Sequence, residues 1–177
     1  MKLNARELRK LKIKSEKLKV KKNDIYIILD NVLDTYNIGS IFRLADAVAV
    51  KKVYLCGDTE IPPNHRIKKA SINTTEVVDW AYQKTALDSI NDLRLTIDDI
   101  QILAIEQAAK SVPYDKFEYK MPICLVVGHE SNGVSKEVLE VVDGIAEIPM
   151  FGVNKSLNVM VSLGIVLYRV IANTTKN

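Results

Sequence analysis

Residues 25–56 read IYIILDNVLDTYNIGSIFRLADAVAVKKVYLC, and this stretch sets the fold class. Residues 25–29 form a short apolar run, which is typical of a buried parallel strand. Apolar side chains then recur at helical spacing over residues 38–49 and predict a helix with one buried face. A second apolar run at 53–56 predicts the next strand. A strand, a helix and a strand in this order indicate an α/β fold, with a mainly parallel sheet flanked by helices.

The same alternation continues to the end of the chain. A loop is expected over 57–73, where one glycine, two adjacent prolines and several basic residues occur. Further strands are predicted at 100–105, 123–127 and 145–148, and further helices at 85–94, 135–142 and 157–171. Gly144 is expected to end the second of these helices as a C-cap. The last helix is apolar on nearly every face and should therefore be buried all round.

Composition excludes several classes of protein. Of the 177 residues, 47% are hydrophobic, which is enough for one real core. No apolar run approaches the roughly 20 residues of a membrane-spanning helix, and no signal peptide is evident. We therefore expect a cytoplasmic protein with no membrane partner. Cys56 and Cys124 lie in apolar runs and are expected to be buried free thiols, and no Cys/His cluster with zinc spacing predicts a metal site.

Charge divides the chain into a basic arm, residues 1–22, and a body, residues 23–177. The arm holds ten Lys or Arg against two Glu, a net charge of +8, whereas the body holds 15 basic and 20 acidic residues. Asn4 and Glu7 match a capping box, and leucines recur at helical spacing behind them, so residues 4–20 are predicted to form a basic amphipathic helix. A polyanionic partner and a merely solvated terminus explain the arm equally well.

Three polar clusters follow predicted strands, at 30–43, 127–133 and 148–159. Ligands of open α/β sheets bind at the carboxyl ends of strands. Each cluster also has a purely structural interpretation. In the first, Asn37 caps the helix and Arg43 pairs with Asp46; the second is a tight left-handed turn; in the third, Ser156 is an N-cap. Local pattern alone leaves both interpretations open. No phosphate loop accompanies the clusters, because Val134 stands where a P-loop lysine belongs.

Together, the three clusters resemble the three motifs of the SpoU/TrmH methyltransferases of the SPOUT superfamily. The resemblance covers residues 24–172 and rests on the order, spacing and flanking strands of the motifs. The matching residues are, in motif one, Asn31, Asn37, Ile38, Gly39, Arg43, Ala45, Asp46 and Ala47; in motif two, Val126 to Gly128, Glu130, Gly133 and Ser135; and in motif three, Ile148, Pro149, Met150, Ser156, Leu157, Asn158 and Val159.

This resemblance implies properties that the patterns above do not show. The family fold has a C-terminal deep trefoil knot, here made by the segments around 124–160. The implied reaction is methylation of a ribose 2′-hydroxyl in structured RNA, with S-adenosylmethionine as cosubstrate. The family acts as a homodimer in which motif one of one subunit completes the site of the other. The short arm, in place of a separate RNA-binding domain, favours tRNA over rRNA.

The resemblance also assigns roles to individual residues. The candidate catalytic residues are Asn37, Arg43, Glu130, Ser156 and Asn158. The candidate cosubstrate-binding residues are Ile105, Gly128, Glu130, Ile148, Met150, Leu157 and Asn158, with Glu106 beside the same pocket. Arg43 is also a candidate RNA-binding residue, and basic charge, not the resemblance, adds Arg6, Arg9, Lys10, Arg66, Lys68 and Lys69. A guanidinium with a pKa above about 12 seldom loses its proton, so Arg43 is expected to orient the RNA and stabilise negative charge rather than act as a base.

Two rival functions come from other classes. The first is a non-catalytic RNA-binding protein on the same scaffold, against which Arg43 and the pair Ser156 and Asn158 argue. The second is a flavodoxin-like nucleotide-binding module, against which the missing phosphate loop argues.

Overall fold

A computed structural model describes residues 2, 4, 5, 7 and 20–174 of the chain. The strands in these residues are β1 (Asn23–Asp30), β2 (Val50–Cys56), β3 (Trp80–Gln83), β4 (Gln101–Ile105), β5 (Val112–Pro113), β6 (Ile123–Gly128) and β7 (Gly144–Glu147). They form one sheet in the order β3-β2-β1-β6-β4-β7-β5. Every pair of neighbouring strands is parallel, which confirms the predicted α/β fold.

Helices cover both faces of this sheet. They are α1 (Thr35–Ala47), α2 (His65–Ser71), α3 (Ala86–Thr96), α4 (Lys136–Val141) and α5 (Val159–Thr174). Alternate side chains of β1 point to opposite faces, as the pleat of a strand requires. Ile25, Ile27 and Leu29 pack with α1, α2 and α5, while Tyr26 and Ile28 pack with α3 and α4. The central strands are therefore buried on both faces, which explains their continuous apolar runs.

The prediction of a loop over 57–73 was wrong in part, because α2 lies within it. Asn64 caps this short helix, and its side-chain oxygen accepts hydrogen bonds from the N–H groups of Arg66 and Ile67. Only Ile67 and Ser71 of the helix are buried, so the segment has too few apolar residues to show a helical pattern. The two strands β3 and β5 were also missed, since they hold only four and two residues.

The predicted cap at Gly144 is wrong, and so are the caps at Asn37 and Ser156 that the purely structural interpretation of the clusters offered. Gly144 does not end α4: it begins β7, where the ring of Phe117 occupies the space of a Cβ atom. Asp34, not Asn37, caps α1 and accepts the N–H groups of Tyr36 and Asn37. Asn158, not Ser156, caps α5 and accepts the N–H groups of Met160 and Val161 at 2.9 and 3.4 Å.

The first residues of the arm bear out one prediction. Asn4 Oδ1 accepts the N–H of Glu7 at 3.0 Å, and Glu7 Oε2 accepts the N–H of Asn4 at 2.7 Å, which is the predicted capping box. Arg6, Arg9 and Lys10, and residues 8–19 as a whole, lie outside the described residues.

The cysteine prediction is confirmed. Cys56 and Cys124 are free and buried, and burial raises the pKa of the Cys56 thiol to about 12. A thiol with so high a pKa is a poor nucleophile. Within the described part of the chain, no helix combines the length and apolar character needed to cross a membrane.

Candidate active site

One open cavity of about 410 Å³ lies where β4, β6 and β7 end. The carboxyl ends of parallel strands meet at one edge of a sheet, so three segments distant in sequence converge there. The lining residues are Ile105, Glu106, Gln107, Val127, Gly128, His129, Glu130, Ser131, Asn132, Gly133, Ile148, Met150, Ser156, Leu157, Asn158, Val159 and Ser162. All seven residues predicted to bind the cosubstrate are among them, and Ser156 is the eighth predicted site residue that lines this cavity.

The loop after β6 is folded tightly on itself. His129 and Gly133 exchange two backbone hydrogen bonds, at 3.0 and 2.8 Å. A Cβ atom on Gly128 would collide with the backbone of Gly133 and Val134, and Gly133 has a left-handed φ of +70°. The tight-turn interpretation of this cluster is therefore correct. It does not compete with the ligand interpretation, because the same turn forms one wall of the cavity.

Two carboxylates hold this loop in place. Glu106 accepts the N–H of Val134 at 3.0 Å through Oε2 and the N–H of Gln107 at 2.9 Å through Oε1. Asp30, buried at the end of β1, accepts the N–H of Ser135 at 2.9 Å. Glu106 is only a secondary candidate from the sequence, although its place directly after a predicted strand is the signal that marks it.

A hydrogen-bond network joins three of the predicted catalytic residues. Glu130 Oε1 accepts the side-chain N–H of Asn37 at 3.0 Å, and Asn37 Oδ1 accepts the side-chain N–H of Asn158 at 2.9 Å. The two oxygens of Glu130 also accept the N–H groups of Leu33 and Asp34 at 3.1 and 3.0 Å. The network thus ties the loop after β6 to the starts of both α1 and α5.

This network changes the acidity of Glu130. Burial alone raises the pKa of the carboxyl group, but hydrogen bonds from Asn37 and from backbone N–H groups stabilise the carboxylate. The net pKa lies below the ordinary value of a glutamate. Glu130 is therefore anionic near neutral pH, and it is already an acceptor for its own chain.

Arg43 stands apart from the other candidates. It is exposed on α1 and does not line the cavity. Among the described residues it forms no ion pair, so the predicted pairing with Asp46 is wrong. Arg43 lies six positions after Asn37, so the two side chains point about 120° apart around the helix axis. Asn37 does not line the cavity either, but it bonds to Glu130 in the cavity wall. Arg43 therefore does not share the helix face by which Asn37 contacts Glu130 of the same chain.

The profile of the SpoU rRNA Methylase family matches residues 24–168. The chain belongs to this family. It is 34% identical to a tRNA (guanosine(18)-2′-O)-methyltransferase of Aquifex aeolicus, over 90% of this chain and 74% of the relative. It is 30% identical to the enzyme of the same name from Escherichia coli K12, of which it spans only 65%.

Solved structures of SpoU relatives share the fold. An AdoMet-bound rRNA methyltransferase from Sinorhizobium meliloti superposes with a TM-score of 0.78 at 29% identity, over 94% of this chain and 60% of that one. The A. aeolicus TrmH/SpoU tRNA modifying enzyme gives 0.77 at 27% identity, over 97% of this chain and 83% of that one. The chain therefore spans less than two thirds of some SpoU relatives and more of others.

The helix α2 carries three of the predicted RNA-binding residues. Arg66, Lys68 and Lys69 are all exposed, while Ile67 between them is buried. None of the three basic residues forms an ion pair within the described residues. Their charges are therefore free to attract a polyanion.

Proposed function

We propose that the protein transfers the methyl group of S-adenosylmethionine to a ribose 2′-hydroxyl in structured RNA. The observation that carries the proposal is the cavity at the ends of β4, β6 and β7, where all predicted cosubstrate residues meet. Membership of the SpoU family supports the reaction class. Relatives named for tRNA and for 23S rRNA both support RNA as the substrate, and the A. aeolicus relative makes tRNA the first substrate to test.

The residues of the cavity fit S-adenosylmethionine. Ile105, Ile148 and Leu157 supply apolar walls for a flat base. Glu106 and Glu130 add negative charge beside them, which suits a ligand that carries a sulfonium and an ammonium group. When bound, this cosubstrate supplies an electrophilic methyl group. The residues of the chain must align the RNA hydroxyl with this methyl group and stabilise the charge that develops on the hydroxyl oxygen.

Arg43 is proposed to stabilise the negative charge that develops on the attacking ribose oxygen. Its planar guanidinium can hold a phosphate through two hydrogen bonds while it stabilises a neighbouring oxyanion. Asn37 is hydrogen-bonded to both Glu130 and Asn158, which supports a positioning role for all three. Ser156 lines the cavity and makes no hydrogen bond within the described residues, so its hydroxyl is available to the RNA or to the cosubstrate.

A homodimer is part of the proposal, because Arg43 lies outside the cavity of its own chain. The helices α1 and α5 pack together and still expose large apolar side chains: Tyr36, Val161 and Tyr168. In the single chain Val161 and Tyr168 are 39% and 52% exposed, so the prediction that α5 is buried all round requires a second copy of the chain against this side of the helix. A second copy that covers this face would bury them and bring its own Arg43 to the cavity.

We also propose that the segments around 124–160 form the deep trefoil knot of the family. They include β6, β7 and most of the cavity, and the similarity to SpoU structures supports this path of the chain.

Calorimetry with S-adenosylmethionine and methylation of unmodified RNA test the reaction together. The ligand at 100 times its Kd should stabilise the protein by about 2.7 kcal/mol and raise its melting temperature. Mapping of 2′-O-methyl groups in cells with and without the gene should then identify the nucleotide. Binding of RNA without any binding of the cosubstrate would instead support the non-catalytic alternative.

A further inference from the structure

The loop between β7 and α5 carries a projecting tip, residues 151–155, which the reaction described above does not use. Met150 on one side and Ser156 on the other line the cavity, but none of the five tip residues does. Phe151 is 95% exposed and Val153 is fully exposed. A Cβ atom added to Gly152 would meet nothing within 4 Å. The tip therefore stands in solvent directly at the mouth of the cavity.

The tip is attached to the body at its far end. The side-chain N–H of Gln107, itself in the cavity wall, donates to the backbone oxygen of Lys155 at 2.8 Å. None of residues 151–154 forms a hydrogen bond with any other described residue. Phe151 is thus held next to the cavity by the chain on both sides, while its ring has no partner of its own.

Charge around the tip is suited to a polyanion. Residues 148–158 contain no Asp or Glu, and Lys155 is exposed among them. An exposed aromatic ring beside a free cation is the arrangement by which proteins hold unpaired nucleotides: the ring stacks on a base and the cation attracts the phosphate. The apolar cavity walls, in contrast, are supplied by residues outside the tip, so the Phe151 ring is not part of the cavity wall.

We propose that Phe151 stacks on an unpaired base of the RNA substrate, next to the ribose that is methylated, and that Lys155 contacts the adjoining phosphate. The proposal rests on the proposed function and adds to it which part of the RNA the protein contacts outside the cavity. It also implies that the target ribose lies in a loop or another unpaired segment, because a base inside a helix has no free face for the ring.

A tryptophan at position 151 reports stacking directly. Trp80 is the only tryptophan of the chain, so the double variant Trp80→Phe, Phe151→Trp places its only tryptophan on the tip, where it can be excited selectively over the tyrosines. A single-stranded RNA of about ten nucleotides should quench its fluorescence saturably, whereas polyphosphate, which has charge but no bases, should not. Quenching by S-adenosylmethionine alone would assign Phe151 to the cosubstrate and overturn the proposal. Fluorescence that changes with protein concentration alone would assign it to a second copy of the chain, with the same consequence.

Alanine variants test the energetic part in a background that keeps Trp80. Phe151→Ala should weaken binding of the same RNA at least about fivefold, as expected for the loss of one stacked base, and Phe151→Tyr should restore it. Leu95→Ala is the matched control, because Leu95 is 85% exposed on α3, outside the cavity. Unchanged RNA affinity for Phe151→Ala would overturn the proposal while methyl transfer still stood. Failure of the wild-type protein to methylate any RNA would instead overturn the proposed function, and the quenching result would be unaffected by it.

Discussion

Individual residues at this site divide into those that hold one another and those that are free for a ligand. Asn37 is hydrogen-bonded to both Glu130 and Asn158, and Glu106 is bonded to the loop after β6. Arg43 and Ser156 have no such partner within the described residues. The free groups are the ones that can respond to a substrate, because binding RNA costs them no existing hydrogen bond.

Arg43→Ala should lower methyl transfer by a factor of about 10² to 10³, as expected when one donor to a developing oxyanion is removed. The melting temperature and the affinity for S-adenosylmethionine should stay close to wild type, since Arg43 is exposed and outside the cavity. Arg43→Lys should also be poor, because a point charge cannot replace a planar fork. Turnover of the alanine variant near the wild-type rate, measured with unmodified tRNA, would refute the assignment.

Glu130→Gln tests the network through pH. The folded-state pKa of Glu130 is lowered, so its stabilising effect is complete above the unfolded pKa of about 4.3 and is lost as pH falls through the folded value. A glutamine also presents an NH2 group to backbone N–H donors. The variant should melt lower than wild type at pH 7, and the difference should shrink at acidic pH. Glu140→Gln, at an exposed position of α4, is the control. If the melting temperatures of Glu130→Gln and wild type differ by the same amount at every pH, the stabilising role of the Glu130 carboxylate is contradicted.

At the scale of elements, the contact between α1 and α2 depends on one glycine. A Cβ atom on Gly39 would lie 2.7 Å from the backbone oxygen of Ile67 and 2.5 Å from Cβ of Ala70. The close approach of α1 and α2 therefore requires a glycine at position 39.

Gly39→Ala sets helix propensity against this overlap. Alanine favours a helix interior by about 1 kcal/mol over glycine, but the backbone of α2 must move to admit the methyl group, so we expect a net loss of stability of about 1–3 kcal/mol. Gly164→Ala on α5 is the matched control, because its Cβ would meet only Leu44 at 3.5 Å. Thermal melts of both variants show which effect is larger. A Gly39→Ala protein more stable than wild type would show that α1 and α2 can separate without cost.

Which elements could be predicted depended on how much apolar surface each one buries. The central strands β1, β4 and β6 bury both faces, so their runs were plain in the sequence. The helix α2 buries only Ile67 and Ser71, and β3 and β5 lie at the edges of the sheet, so their patterns were too short to detect. Gly144 was misjudged because a glycine after a helix resembles a C-cap, whereas the ring of Phe117 is what excludes a side chain there.

The residues of the cavity wall could be predicted in part, but their contacts could not. Motifs two and three contain many of the residues that line the cavity, because strand ends converge in a parallel sheet. Motif one supplies no lining residue and reaches the cavity wall only through the hydrogen bonds of Asn37. No local pattern indicated that Asn37 would bond to Glu130, 93 positions away, or that Asn158 would cap α5. Such contacts depend on the relative positions of whole elements, which spacing within one motif cannot specify.

For the whole molecule, the position of Arg43 predicts that two chains build each site. Mixing Arg43→Ala with Leu157→Arg, which blocks the cavity, should restore about a quarter of the wild-type activity, because half of the dimers are mixed and each has one intact site. Neither variant should be active alone. Light scattering should show a dimer at micromolar concentration; a fully active monomer, or no rescue between two dimeric variants, would contradict sites built by two chains.

The charge of the arm gives the last prediction. Residues 1–22 carry +8 on a body of net negative charge, so the arm should supply much of the attraction to RNA phosphates. Each neutralised phosphate steepens the fall of log K with log salt by about 0.7 to 0.9. Deletion of residues 1–22 should therefore weaken RNA binding at low salt and flatten that slope by several such steps. The affinity for S-adenosylmethionine should barely change, because every cavity-lining residue in the described part of the chain belongs to the body.

The alternative to an RNA-binding arm is a structural brace. Leu8, Leu11 and Leu18 recur at helical spacing, and an apolar stripe packed on the body would stabilise the fold. Deletion would then lower the melting temperature and leave the salt slope unchanged. Measuring both quantities on the same truncated protein separates the two roles, because one acts through phosphate charge and the other through buried apolar surface. An unchanged slope with a lowered melting temperature would exclude the RNA-binding arm and establish the brace.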